Sequence, residues 1–254
     1  MMRKVLFKIL GTKNYLRTLH KGFHFLYNSG RLKKNASYRY HYFDKKVVQR
    51  GNYVLDIGAN LGYYTKLFAT WAGDEGKVFA VEPVAVFADT IKWGTKSFKN
   101  ITVYNYALGE EEKEVKLSTP GKYGYIRTGL PNVVKDGDEE KYEFVFTAQM
   151  KKASKLFENI ERIDFIKCDI EGYEEYVLPE MKELLLKFKP VIQLETWGEH
   201  KPKVEKFLTG IGYDIYDLED DILKPINEIK NKQEGDLFFI HKENNGIFER
   251  LKKG

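Results

Sequence analysis

Short apolar runs alternate with amphipathic stretches along this chain. Tyr53–Ile57 reads Tyr-Val-Leu-Asp-Ile, and a few residues later Tyr64, Leu67, Phe68 and Trp71 recur at helical spacing. A compact apolar run bounded by turn residues predicts a strand, and a 3.6-residue period predicts a helix. Strands are therefore expected over Tyr53–Ile57, Val78–Glu82, Ile101–Ala107, Asp164–Asp169, Val191–Glu195, Asp214–Tyr216 and Leu237–His241. Helices are expected over Leu61–Trp71 and Glu174–Lys189. Glu114–Ser118 and Tyr142–Phe146 read as two additional strands flanking Gly121-Lys-Tyr-Gly, a flexible segment suited to a substrate-side flap. This alternation implies one doubly wound α/β domain with a mostly parallel, Rossmann-like sheet. The last two strands, joined by a longer polar connection, are expected to finish it with an antiparallel edge strand.

The first 44 residues follow a different pattern. Leu6, Ile9, Leu10, Leu16, Leu19, Phe23, Leu26 and Tyr27 recur close to helical spacing, with Lys4, Lys8, Lys13, Arg17 and Lys21 between them. Gly11 is expected to interrupt this helix, and Thr12 to cap its continuation. The organisation read from the chain is thus a basic helical extension over 1–44 and an α/β domain over 45–254.

Charge sharpens that division. Residues 1–50 hold 13 Lys or Arg and one acid, Asp44, a balance of +12; the whole chain carries +5, so residues 51–254 carry −7. Three roles suit the extension: a helical cap with a solvated basic face, an interfacial helix on an anionic membrane through residues 1–40, or a nucleic-acid arm. The uncharged run Val5-Leu6-Phe7 is too short for the apolar core of a secretory signal. No stretch approaches the roughly 20 apolar residues of a spanning helix. A cytoplasmic location is expected, with peripheral contact on the inner membrane face as its extension.

Composition adds two constraints. A hydrophobic content of 43% with 15% aromatics belongs to a folded chain. The single cysteine, Cys168, excludes an intrachain disulfide, and its place inside an apolar run predicts a buried, inert thiol.

The chemistry gathers at strand ends. Asp56-Ile-Gly58-Ala59-Asn60-Leu-Gly62 closes the first strand with glycines that admit a ligand close to the backbone. It lacks the G-x-G-x-x-G spacing of a dinucleotide loop and the Gly-Lys-Ser/Thr of a phosphate loop. Asp56 would repel a pyrophosphate and attract a cation such as a sulfonium. Glu82, 26 positions later and followed by Pro83, ends the second strand with a carboxylate of the kind that accepts ribose hydroxyls. A third strand delivers Asp169, with Glu171, Gly172, Glu174 and Glu175 following. Glu174 and Glu175 read as complements to a helix dipole.

The Asp-x-Gly-x-Asn-x-Gly loop resembles motif I of S-adenosylmethionine-dependent methyltransferases. With Val81-Glu-Pro83, Asn105-Tyr-Ala-Leu108, Ile163–Glu174, Thr147 and Val191–Glu195, the chain resembles the FkbM family of these enzymes over roughly residues 45–242. That resemblance implies O-methylation, commonly of sugar or polyketide-type hydroxyls, with a small-molecule or glycan acceptor. Carried over by position, Asp56, Gly58, Ala59, Asn60 and Gly62 would line the methionine and ribose portion, Glu82 and Pro83 the ribose, Tyr106 and Ala107 the adenine. Asp169 would face the methyl group. Ala148-Gln149 stands where the family is expected to have Leu-Asp.

Methyl transfer to a hydroxyl needs a base or a metal. Asp169, Glu171 and His200 are the base candidates, and Asp169, Glu171 and Glu195 form an alternative Mg²⁺ set. No Asn/Asp-Pro-Pro-Tyr loop follows Asp169, which disfavours methylation of nucleic-acid bases. The alternatives are a nucleic-acid methyltransferase using the basic extension, and a cofactor-fold protein acting only as a membrane-associated binding module.

Overall fold

The computed structural model describes residues 2–119, 122–129, 132–134, 137–195, 201–227 and 235–252. Its strands are β1 (Tyr53–Ile57), β2 (Lys77–Val81), β3 (Ile101–Tyr104), β4 (Ala107–Gly109), β5 (Lys113–Ser118) and β6 (Asn132–Val133). They continue with β7 (Val145–Lys152), β8 (Phe165–Cys168), β9 (Val191–Glu195), β10 (Tyr213–Glu219), β11 (Ile222–Ile226) and β12 (Asp236–His241). The helices are α1 (Met2–Asn28), α2 (Arg39–Val47), α3 (Tyr63–Ala72), α4 (Ala85–Gly94) and α5 (Ala153–Leu156). After them come α6 (Glu174–Glu180), α7 (Lys182–Phe188), α8 (Lys201–Gly210) and α9 (Asn245–Lys252).

Eight strands form the main sheet in the order β11-β10-β12-β9-β8-β1-β2-β3. From β3 to β9 the pairing is parallel; β12 then runs antiparallel between β9 and β10, and β11 antiparallel to β10. Side chains alternate across β1. Leu55 and Ile57 pack with Ile166, Val177 and Ile192, whereas Val54 packs on the other face with Phe68, Val78 and Phe238. Both faces are covered, which is why these strands read as continuous apolar runs. β1 lies between β2 and β8, where the strand order reverses, and the crevice at the carboxyl ends of such a pair is where this architecture binds ligands.

A second sheet, β4-β7-β5-β6, stands beside the first and was legible only as two isolated strands. The expected strand Ile101–Ala107 ends at Tyr104, and Ala107 starts β4 in the other sheet. The Asn105 amide causes the turn, donating to the carbonyls of Glu82 (2.8 Å) and Pro83 (2.9 Å). The strand expected over Tyr142–Phe146 runs instead over Val145–Lys152, paired with β5 from Ser118 to Lys113. Glu174–Lys189 is two helices that meet at Met181, with Pro179 inside the first. The connection between the last two expected strands contains β11, so the sheet extends beyond one antiparallel strand. Pro120, Gly121 and the end of the β11–β12 connection lie outside the described residues.

The extension is a kinked helix. Gly11 has φ 65° and ψ 169°, breaking α1 into two arms as its position predicted. Tyr15 and Leu16 are buried with Leu61, Val84, Phe87 and Met150, so the extension shares a core with the domain. Phe7 meets Tyr15 (5.2 Å) and Phe144 (5.9 Å) edge-on, seating the first arm on the second sheet. His20 sits where a Cβ on Gly94 would clash with its ring, and its Nδ1 donates to the Leu61 carbonyl at 2.7 Å. Burial keeps this imidazole and that of His24 below the usual histidine range, His24 at about 3, so both are neutral. Cys168 is buried and its thiol is raised by burial, as expected of an inert cysteine.

Asp44 on α2 is fully buried, and neither carboxyl oxygen has a hydrogen-bond partner. Burial, with Asp236 nearby, holds its pKa well above the ordinary carboxylate value. The folded chain therefore keeps a proton that the unfolded chain releases near pH 4, and stability falls as pH rises above that point. Asp44→Asn removes this dependence. Its melting temperature is expected to exceed the parent's by about 2–4 °C at pH 8, and by less at pH 5. Calorimetric melts at both values check it; an equal shift at both would contradict a neutral Asp44.

Candidate active site

The sequence-predicted residues meet at the β1–β2–β8 crevice. Gly58 leaves β1 with φ 81°, and a Cβ on it would lie 1.8 Å from the Asp169 carbonyl oxygen. Only glycine lets this loop pass beneath the end of β8. The Gly58 and Ala59 amides both donate to the Val81 carbonyl at 3.0 Å, tying the loop to β2. Asn60 follows in the left-handed region (φ 51°), with its Oδ1 buried and unpartnered.

Glu82 joins the two strand ends. Its carboxylate accepts from the backbone amides of Asn60 and Val84, each at 2.8 Å. Burial raises it to about 8, with those amides opposing the shift. Its carboxyl lines the cleft.

The cleft is walled by Gly58, Asn60, Glu82, Pro83, Tyr106, Ala107, Asp169 and Glu171 among others. Three predicted residues stand behind the wall. Asp56 is 1% exposed, its carboxylate accepting from Thr65 Oγ1 at 2.5 Å; burial lifts it to about 6, against that hydrogen bond. Ala59 packs with Ala80 and Ile91. Gly62 caps α3 in the left-handed region against Ile91. These three shape the loop, and Gly58 and Asn60 present it.

The β8 end carries the reactive groups. Lys167 is 4% exposed and its Nζ lies 2.9 Å from Asp169 Oδ2 and 4.8 Å above the Tyr64 ring. Burial alone would raise the Asp169 carboxyl, yet the Lys167 charge and hydrogen bonds from Glu195 and Lys167 hold it below the ordinary range. Glu195 is pushed up to about 9 by burial and by its hydrogen bond to Asp169, so it carries the proton of that pair. Glu171 is held left-handed (φ 56°) on the cleft wall, a conformation retained where surrounding structure enforces it. Burial, then the nearby Asp169 and Glu174 charges, raise it to about 7. Glu174 is buried and accepts from the Ile170 amide at 2.9 Å, pinning this turn instead of simply facing the helix dipole. Glu175 pairs with Lys203 at 2.6 Å.

Asp169, Glu171 and Glu195 each offer an oxygen within 4.8 Å of the others. The set is a poor fit to Mg²⁺, because the buried Lys167 ammonium already pairs with Asp169 at 2.9 Å. A hard cation takes ionised, uncommitted oxygens. His200 lies outside the described residues.

Sequence reading missed the roof of the cleft. Leu117, Asn132, Val133 and Met150 from the second sheet, and Tyr173 after Gly172, also line it. The buried alternation Ala148, Met150 in β7 was the available signal. Gln149, where the expected family pattern differs, points outward to Glu114 (3.3 Å), so the departure leaves the cleft unchanged.

A doubly wound sheet with a glycine loop after β1, a carboxylate ending β2 and an acidic β8 end defines an S-adenosylmethionine-dependent methyltransferase fold. Residues 56–215 match the Methyltransferase FkbM domain, and the chain belongs to that family. It is 22% identical to methyltransferase sdnD of Sordaria araneosa over 210 residues, 69% of this chain and 78% of that protein. Among solved structures, the methyltransferase FkbM of Methylobacillus flagellatus superposes with a TM-score of 0.50 at 16% identity, over 74% of this chain. The chain spans 43% of that protein's length.

Proposed function

We propose that this chain is an O-methyltransferase acting on a hydroxyl of a sugar, a glycan or a glycolipid precursor. The observation that carries the reading is Glu171: a carboxyl on the cofactor cleft with a pKa near 7, two residues beyond an ionised Asp169. A base is most effective when its pKa lies near the working pH. The cleft fits the cofactor by its own features, namely the space Gly58 leaves open, the orphaned Asn60 Oδ1 and the spare acceptor capacity of Glu82. When bound, S-adenosylmethionine supplies an electrophilic methyl group. Asn60 and Glu82 would accept hydrogen bonds from its polar groups, and Pro83, Tyr106 and Ala107 would wall its adenine.

The rest belongs to the β8 end. A sugar hydroxyl is a weak nucleophile until its proton is removed, so the acceptor oxygen must lie within hydrogen-bond reach of Glu171. Glu171 takes that proton. Asp169, kept ionised by Lys167, accepts a neighbouring hydroxyl and orients the acceptor. No helix among the described residues is long and apolar enough to cross a membrane.

Titration calorimetry of S-adenosylhomocysteine into the purified chain, repeated with Glu82→Ala, is the direct test of the cofactor site. Micromolar binding weakened at least tenfold by the substitution is expected, since two loop amides and the ligand lose their common acceptor. No binding would remove the methyltransferase reading. Methyl transfer from labelled cofactor into glycans, set against RNA, then tests the acceptor class; labelling of RNA alone would overturn the sugar assignment.

A further inference from the structure

The face that α1 turns to water differs from the rest of the surface. Met2, Val5 and Ile9 are 83%, 49% and 75% exposed, on one side of the first arm. At 100° per residue they fall within a 60° arc. Phe7 lies opposite, and Leu6 and Leu10 beside it beyond Met2; all three pack with the core that holds the second sheet. Exposed Lys8 lies about 60° beyond Val5 at one edge of the apolar arc, with exposed Lys4 about 40° further round, its stem beside Gly124. The second arm adds Lys13, Arg17 and Lys21, with Arg17 and Lys21 over the Trp93 ring at 4.7 and 5.2 Å. α1 contains no acidic residue, and none of its six cations forms an ion pair among the described residues.

Two consequences follow. Solubility accounts for the cations but not for three neighbouring aliphatic side chains in water, which cost free energy unless something covers them. A nucleic-acid backbone would satisfy the cations, yet it offers aliphatic groups no hydrocarbon; its binding surfaces pair charge with aromatic or polar side chains. An anionic bilayer satisfies both, taking the aliphatic groups into the acyl boundary and the lysines among the headgroups.

We propose that the outer face of α1 is an interfacial anchor for an anionic lipid bilayer, with Val5 and Ile9 inserting and Lys4 and Lys8 at the headgroups. The anchor is rigid. Phe7, Tyr15 and Leu16 fix α1 to the second sheet and to the loop ending at Gly62, so docking also fixes the cleft relative to the membrane. This inference does not depend on which acceptor the cleft takes.

Co-sedimentation of the full chain with vesicles tests it, comparing neutral phosphatidylcholine with mixtures containing phosphatidylglycerol. The chain should partition at least about tenfold more strongly to the anionic vesicles, less so as salt is raised. Val5→Glu with Ile9→Glu should lower that partitioning by about tenfold or more, as should Lys4→Glu with Lys8→Glu. Val5, Lys8 and Ile9 are solvent-exposed and Lys4 touches the domain only through its stem beside Gly124, so the Val5/Ile9 variant should keep the parent's melting temperature and both double variants its affinity for S-adenosylhomocysteine. A chain that ignores anionic vesicles overturns the proposal. So does undiminished partitioning by the Val5/Ile9 variant, which would reduce the interaction to charge alone. Binding to single-stranded RNA without binding to vesicles would assign the face to nucleic acid instead.

Discussion

Glu171→Gln is expected to lower turnover on a sugar-hydroxyl acceptor by about 10²–10⁴-fold while leaving S-adenosylhomocysteine affinity within about twofold. The glutamine keeps the shape and left-handed backbone of the turn but cannot take a proton. The pH profile gives the sharper reading. Because the base must be ionised, parent activity should rise through about pH 7, where Glu171 titrates, and the residual activity of the variant should lack that limb. Turnover equal to the parent's would sink the assignment. Asp169→Asn is a less clean probe, since it leaves the buried Lys167 ammonium without its 2.9 Å partner. Breaking such a pair costs about 3–5 kcal/mol, so its melting temperature must be measured beside its activity.

The second large effect concerns backbone. Gly58→Ala places a methyl group 1.8 Å from the Asp169 carbonyl oxygen at φ 81°. The contact is with backbone, so either the β1 loop or the β8 end must move. A loss on the order of 3 kcal/mol is expected from overpacking and left-handed strain together. Cofactor affinity should fall with it, because the displaced loop carries Asn60 and the displaced strand end carries Asp169. Gly51→Ala is the control: it shares the positive φ, at 80°, but has open space around its Cβ. That change should cost about 1 kcal/mol and leave binding intact. If the two variants lose binding alike, strain and not close approach explains Gly58.

Both predictions place the chemistry where two strand ends abut, and this juxtaposition marks the boundary of what the chain discloses. Position along the chain was enough to find Gly58, Glu82 and Asp169, because each ends an apolar run and strand ends in this fold converge on one crevice, and the motif resemblance added Asn60. Local patterning likewise announced the kink at Gly11, the buried Cys168 and the parallel core, all properties of a residue and its near neighbours. Roles depended on contacts made across the chain. Asp56 and Glu82 look alike as carboxylates on strands; packing turns one onto Thr65 behind the wall and leaves the other on the cleft. Lys167 reads as a lysine in a motif, and only its burial beneath Asp169 and Tyr64 shows that it sets which carboxyl is ionised. Leu117 and Met150 lie far from the glycine loop along the chain, and they roof the cleft because β4 leaves the main sheet at Asn105. The sequence by itself determined the strands of the parallel core, the family and the acidic strand ends, since periodicity and motif spacing are local. The tertiary structure alone decided which groups face the ligand, which hold the loop and which keep a proton, because burial and charge proximity arise only when distant segments meet.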